Sequence, residues 1–219
     1  MDRVADVGIE FELATIDPAG QPTNGITRTA SNVNGWDGIA SPERSVEDRA
    51  LYFTTKGGHD AWPTDRYLNI WVAELSNRFG ELGLAGYAQL PGQSDPRIDG
   101  IVVDPRVFGT LSPLAEGHTL GRTTTHEIGH WLNLKHIFGV DANCLSLHEV
   151  EDTPPAANAY NGKPTFPQIS CGTNSMFMNF MDLVHDDAMF MFTNGQRSRM
   201  RSVFLEGGPR RALYLNSKR

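Results

Sequence analysis

Three histidines and a glutamate fall within one short stretch of this chain, His126-Glu127-Ile128-Gly129-His130-Trp131-Leu132-Asn133-Leu134-Lys135-His136. On a helix, His126 and His130 are four positions apart and project from one face. Neutral imidazole nitrogens suit zinc, and two of them leave coordination positions for a third ligand and for water. Glu127, directly after the first histidine, is placed to act as a general base toward such a water. His136 lies six residues past His130, too far round for an unbroken helix to aim it at the same point. The chain must therefore turn sharply in between, through a residue that tolerates positive φ. Glycine adopts that conformation at least cost and asparagine next, and Asn133 stands there. The expectation is a helix, a sharp stop and a third ligand: His126, His130 and His136 on one zinc ion, with Glu127 as catalytic base. A two-histidine pattern alone also occurs on ordinary core helices; the third histidine at this offset lifts it above chance.

A site of this kind needs a rigid sheet and helix around it. Residues Val7 to Ile16 alternate enough to predict a strand, ended by the turn Asp17-Pro18-Ala19-Gly20. Residues 20–42 read as polar loop, and Ser41-Pro42-Glu43 could cap a short helix. Ala50 to Thr55 reads as a strand. Tyr67 to Ala73 is the clearest buried strand, and Leu84 to Leu90 and Asp99 to Asp104 supply two more. Gly121 to Thr125 leads into the histidine helix. Strands followed by one functional helix predict an α+β fold, with the helix packed on a sheet face. Residues 137–180 are rich in Pro, Gly, Asn and Ser and read as irregular. Thr193, with Gln196 three residues on, predicts a capping box opening a last helix. Its arginines Arg197, Arg199 and Arg201 read as a solvated face.

With 219 residues, 39% hydrophobic and 21% charged, the chain is most simply one domain with a substantial core. A net charge of −7 argues against nucleic acid as the main partner. No apolar run reaches membrane-span length, and no signal peptide opens the chain. The two cysteines, Cys144 and Cys171, are either one disulfide or two free buried thiols. Without a C-x-x-C pair, a second, cysteine-based zinc site is not supported.

The long histidine motif resembles that of the metzincin metallopeptidases, with Asn133 where that family usually has glycine. Further segments are similar to the pappalysin-type branch: Tyr67 to Val72, Asp99 to Val103, Gly121 to Thr123, Asp152 to Pro154, Asn179 to Asp182 and Met191 to Gln196. They cover residues 7 to about 210, in the family's order. The resemblance implies a secreted zinc endopeptidase acting on protein or peptide substrates. Its twisted mixed sheet and active-site helix would form an upper part, 1–136, and an irregular lower part, 137–219, would carry a C-terminal helix. It makes Met181 the methionine of the Met-turn, an apolar floor beneath the three histidines. It pairs Cys144 with Cys171, in an oxidising compartment, and allows calcium at Asp152 and Thr153, with His148 where relatives often carry an acid.

Relatives also carry a tyrosine two residues after the Met-turn methionine, which helps stabilise the oxyanion; here that residue is Leu183. Loss of one oxyanion donor costs about 10²–10³ in kcat, and His185 is the nearest substitute in sequence. By the same resemblance Asp187, beside Asp186, receives a basic side chain, implying cleavage before Arg or Lys. The strand and backing helix that usually precede the segment starting near Val7 are not expected in Met1 to Asp6. Two alternatives stay open. One is a non-catalytic zinc-stabilised binding module or incomplete domain, against which Glu127 argues. The other is a zinc hydrolase of small peptides or other amides.

Overall fold

A computed structural model describes residues 4–37, 45–76, 84–92, 95–111, 113–139, 144 and 149–217. The Ser41-Pro42-Glu43 cap and His148 lie outside the described residues. Nine short strands are described: β1 (Trp36–Asp37), β2 (Ile70–Val72), β3 (Leu75–Ser76), β4 (Gly86–Ala88), β5 (Ile101–Val103), β6 (Asn161–Gly162), β7 (Ile169–Ser170), β8 (Thr173–Asn174) and β9 (Leu183–Val184). The helices are α1 (Arg122–Trp131), α2 (Asn194–Ser202) and α3 (Arg211–Asn216). This is an α+β arrangement built on a mixed sheet of order β2-β5-β4, with β2 parallel and β4 antiparallel to β5.

The central strand β5 is Ile-Val-Val and buried throughout, as expected of a strand covered on both faces. Ile101 and Val103 join the main core, which also holds Trp131, Leu132, Leu134, Phe180, Met181 and Met200. Val102 faces the other way, into a second cluster with Trp36, Leu51, Tyr52, Trp71 and Leu75. The main core therefore draws on residues from both sides of position 136. Helix α1 packs on β4 and β5.

Three strand expectations change. The Tyr67–Ala73 segment is a strand only over Ile70–Val72, and it is not fully buried: Ile70 and Val72 are 40% and 45% exposed around a buried Trp71. The register puts Ile70 and Val72 on the face of Ile101 and Val103, but β2 is the outer strand and α1 lies over β4 and β5. Ala50–Thr55 forms 3-10 turns at Ala50–Tyr52 and Thr54–Lys56: the neighbours Leu51 and Tyr52 both enter the second cluster, whereas a pleated strand would send them to opposite faces. Residues 7–14 form no strand. Alternation alone does not supply a pairing partner; instead Gly8 turns at φ 64, with its N–H on Asp6, and Val7 and Ile9 rest on the core.

The capping box that opens α2 matches its expectation, but α2 is not the last helix, since α3 follows it. The Thr193 hydroxyl accepts the Gln196 N–H, and the Gln196 side chain accepts the Thr193 N–H in return. The arginine face differs. Arg201 donates to the carbonyls of Val7 and Gly8, tying the N-terminal segment down, and Arg199 reaches back to α1. Arg210, just before α3, is 5% exposed and makes a paired contact with Asp99 at 2.7 and 2.9 Å. Its Nε donates to the Trp131 carbonyl at 2.9 Å, and its guanidinium lies 3.7 Å from the Trp131 ring centroid. One cation thus joins the start of β5 to the end of α1. Arg210→Ala would leave the Asp99 carboxylate without its partner. The expected loss of stability is about 3–5 kcal/mol, measured by urea unfolding; a loss below about 1 kcal/mol would show that the clamp is dispensable.

Candidate metal and catalytic site

Helix α1, Arg-Thr-Thr-Thr-His-Glu-Ile-Gly-His-Trp, carries three β-branched threonines and a glycine, so its own propensity is modest. Its N-cap, Gly121, offers no side chain. The carboxylate of Asp186 caps the helix from a distant part of the chain, accepting the N–H groups of Leu120 at 2.8 Å and Arg122 at 3.3 Å. A negative charge there also favours the positive end of the helix dipole. At the other end the helix stops as predicted. Asn133 has φ 75; its N–H donates to the His130 carbonyl, and the Leu134 N–H to Gly129, both at 2.9 Å. Those two bonds make a Schellman motif, which reverses the chain toward His136.

The turn brings the three imidazoles together. The Nε2 atoms of His126 and His136 are 3.1 Å apart, those of His130 and His126 3.1 Å, and those of His130 and His136 3.0 Å. The His126–His130 contact is not a hydrogen bond between rings. His126 Nδ1 lies 2.6 Å from the Phe180 carbonyl and His130 Nδ1 lies 2.8 Å from the Leu134 carbonyl, so both Nδ1 atoms must carry the proton. Their Nε2 atoms are then bare lone pairs aimed at one point. Burial, with the neighbouring imidazoles, holds the His126 pKa well below the ordinary histidine range. Burial lowers His130 as well, and burial and His130 bring His136 to about 4. Three neutral donors on a common point, two of them with the second nitrogen fixed by a carbonyl, fit a soft-to-borderline divalent cation such as zinc. Among the described residues this is the one cluster of at least three His, Cys, Asp or Glu side chains with ligand geometry. His136 also stacks on Phe138 at 4.5 Å.

Beneath the histidines lies Met181, fully buried. A Cβ added to Gly129 would come within 2.5 Å of its sulfur, so the helix can rest on Met181 only because residue 129 lacks a side chain. Residues 179–182 form a turn: Asp182 N–H donates to the Asn179 carbonyl, and Met181 N–H to the Asn179 side chain. The same turn presents the Phe180 carbonyl to His126. Asn179 and Gln196 exchange two amide hydrogen bonds at 2.7 and 3.0 Å, which fastens this turn to the N-terminus of α2. Glu127 is buried, one of its carboxylate oxygens has no partner, and burial raises its pKa to about 8. Gly86 of β4 faces it: a Cβ there would lie 3.1 Å from both Cγ and Oε1 of Glu127.

The profile of the peptidase M43 family, described as pregnancy-associated plasma protein-A, matches residues 55–205. The chain belongs to this family. It superposes on mature mirolysin of Tannerella forsythia, solved in complex with a cleaved peptide, with a TM-score of 0.87 at 40% identity, covering 99% of this chain and 78% of that one. A promirolysin mutant from the same organism gives a TM-score of 0.86 at 39% identity, over 98% of this chain and 68% of that one. The extracellular metalloprotease of Arthroderma otae is 37% identical over 140 residues, 61% of this chain. The chain spans only 49% of that fungal protein's length.

The remaining expectations for this pappalysin-family chain divide. Cys144 and Cys171 are joined as a disulfide, which decides between the two cysteine readings. Asp152 spends one carboxylate oxygen on the Thr193 hydroxyl at 2.6 Å and the other on the Gly195 N–H at 2.8 Å. The Thr153 hydroxyl donates to the Val150 carbonyl at 2.8 Å. Both residues thus serve the start of α2 and the loop before it. Leu183 is 44% exposed, and its side chain has no hydrogen-bond donor to offer. The His185 ring packs against Gly117 and lies 6.5 Å from the His118 ring. Asp187 is exposed and ion-paired with Lys163, which holds its carboxyl below the ordinary range. Asp186, its neighbour, is the buried cap of α1 and not a surface acid. Sequence reasoning missed that cap, the Asn179–Gln196 pair and Arg199, since none has a local signature.

Glu127 yields a pH prediction. Unfolded, its carboxyl loses a proton near 4.5, whereas folded it does so near 8. Between those values the folded protein holds a proton that the unfolded chain has released, so this group's contribution falls as pH rises. Zinc-free Glu127→Gln should therefore be more stable than zinc-free wild type. The gap should widen by up to about 1.4 kcal/mol per pH unit across that window, read by urea unfolding at fixed ionic strength. A gap independent of pH would refute the buried carboxyl.

Proposed function

We propose that this chain is a secreted zinc-dependent endopeptidase that hydrolyses internal peptide bonds. One observation carries the reading: three Nε2 atoms within 3.1 Å of one another, on the helix whose next residue is a buried, under-partnered glutamate. His126, His130 and His136 would hold zinc, which when bound supplies a Lewis acid for a carbonyl oxygen and acidifies water. Glu127 takes a proton from the attacking water and delivers it to the leaving amine nitrogen. A structural site has no need of such a base, which favours the enzyme over a binding module.

The substrate enters as an extended strand. Among the described residues β4 pairs only with β5, and in this reading the peptide adds along its other edge, where β4 passes over Glu127 at Gly86. Mirolysin's cleaved-peptide complex supports a peptide substrate by analogy. Asp187 receives a basic side chain following the cut. Its present partner, Lys163, is 62% exposed, and exposed ion pairs of this kind exchange at little cost. Secretion is supported by fungal relatives named as extracellular and by the Cys144–Cys171 disulfide, a bond that persists in oxidising compartments. Asp152 and Thr153 act in this reading as helix and loop supports.

Zinc-loaded protein should cut denatured proteins at internal sites. A chelator should abolish the cutting, and Glu127→Ala should reduce it by at least about 10³-fold, in keeping with loss of a catalytic base. Stoichiometric zinc with no cleavage would instead establish the binding module, for which Leu183 in the tyrosine position would be the reason. In cleavage-site profiling, wild type should favour Arg or Lys after the cut and Asp187→Asn should lose that bias; equal profiles would remove Asp187 from the specificity reading.

A further inference from the structure

Asn133 must hold a left-handed backbone, at φ 75, for His136 to reach the other two histidines. Such a conformation costs a non-glycine residue of order 1 kcal/mol, so something nearby must stabilise it. The Arg199 side chain, on α2, donates from Nε to the Asn133 carbonyl at 2.6 Å, and its Nη2 lies 3.5 Å from the Asn133 side-chain oxygen. The same Nη2 holds Glu149 at 2.6 Å, and Glu149 in turn holds Lys135, the residue before His136, at 2.6 Å. The Arg199 side chain is only 19% exposed, whereas Lys135 and Glu149 are 43% and 54% exposed. The buried member of the set is therefore the one that carries the energy.

Helix α2 is itself a fixed platform. Its first turn is capped by Thr193 and Gln196, braced by Asp152, and pinned through Asn179 to the turn that orients His126. Arg199 extends from that platform to the Asn133 turn that follows α1. The two ends of α2 thereby address two different histidines: the first turn reaches His126 through residues 179–180, and the second reaches His136 through residues 133–135.

We propose that Arg199 is a positioning residue for the third histidine, fixing the Asn133 turn and, through Glu149, Lys135, so that His136 points at His126 and His130. This rests on the reading that the three histidines hold zinc. Arg199 touches neither the metal nor the substrate. Its effect is to lower the cost of assembling the site, and so it appears in metal affinity.

The test is zinc affinity of the full chain, by competition against a chromophoric zinc chelator. Arg199→Ala should weaken binding about 10- to 100-fold, the range typical of groups that support a metal ligand. Arg201→Ala is the control: it removes an arginine of the same helix that also bonds backbone carbonyls, those of Val7 and Gly8. It should lower stability while leaving zinc affinity within about twofold. Asn133→Gly added to Arg199→Ala should recover part of the lost affinity, because glycine needs no help at positive φ. Should Arg199→Ala not fold, Arg199→Lys serves: a single ammonium cannot bridge Asn133 and Glu149 as a planar guanidinium does, and affinity should fall several-fold. Wild-type affinity in the Arg199 variants, or an equal loss in Arg201→Ala, would overturn the inference while leaving the zinc reading intact. A wild-type chain that binds no zinc would overturn both.

Discussion

Three imidazole nitrogens about 3 Å from one another and aimed at one point repel through their lone pairs, and the rest of the structure is arranged to hold them there. Hydrophobic packing alone does not achieve this. The rings are set by hydrogen bonds to carbonyls, and those carbonyls belong to segments distant in sequence: Phe180 for His126, and Leu134, in the reversed chain, for His130. Each carbonyl fixes a tautomer as well as an angle, so backbone geometry decides the electronic character of the site.

Helix α1 is poorly suited to stand alone, and its support is distributed accordingly. Asp186 caps its start, β4 and β5 carry its flank, Met181 lies beneath Gly129, and Arg210 clamps its last carbonyl to the sheet. Glycine does the closest work at two of these contacts. At Gly129 it admits the methionine sulfur, and at Gly86 it lets the strand edge pass beside the Glu127 carboxyl. A methyl group at either place would displace a group that the proposed chemistry uses.

The polar network behind the site is continuous. From Asp152 it runs to Thr193 and the first turn of α2, then through Gln196 and Asn179 to the Met181 turn and His126. Every member is buried or nearly so and has its hydrogen bonds met within the chain, which is the condition under which such networks rigidify a core. This network ties segments with little regular structure to the turn that orients His126.

What the sequence determined by itself was local and chemical. The spacing of His126, His130 and His136, the positive φ at Asn133 and the capping box at Thr193 and Gln196 follow from helix geometry and from residues within a few positions, so they were legible. Family resemblance supplied the turn at Met181 and the Cys144–Cys171 pairing. Strand boundaries were less legible. Ile70 and Val72 read as buried, yet β2 lies at the sheet edge, and the Val7–Ile16 alternation had no partner strand. Only the tertiary structure decided that Asp186 caps a helix while its neighbour Asp187 faces solvent, that Asp152 braces α2, and that Arg199 and Arg201 bind carbonyls. The reason is physical: a carboxylate or guanidinium has the same composition and periodicity whether it meets water or a backbone group sixty residues away, and only folding chooses between them.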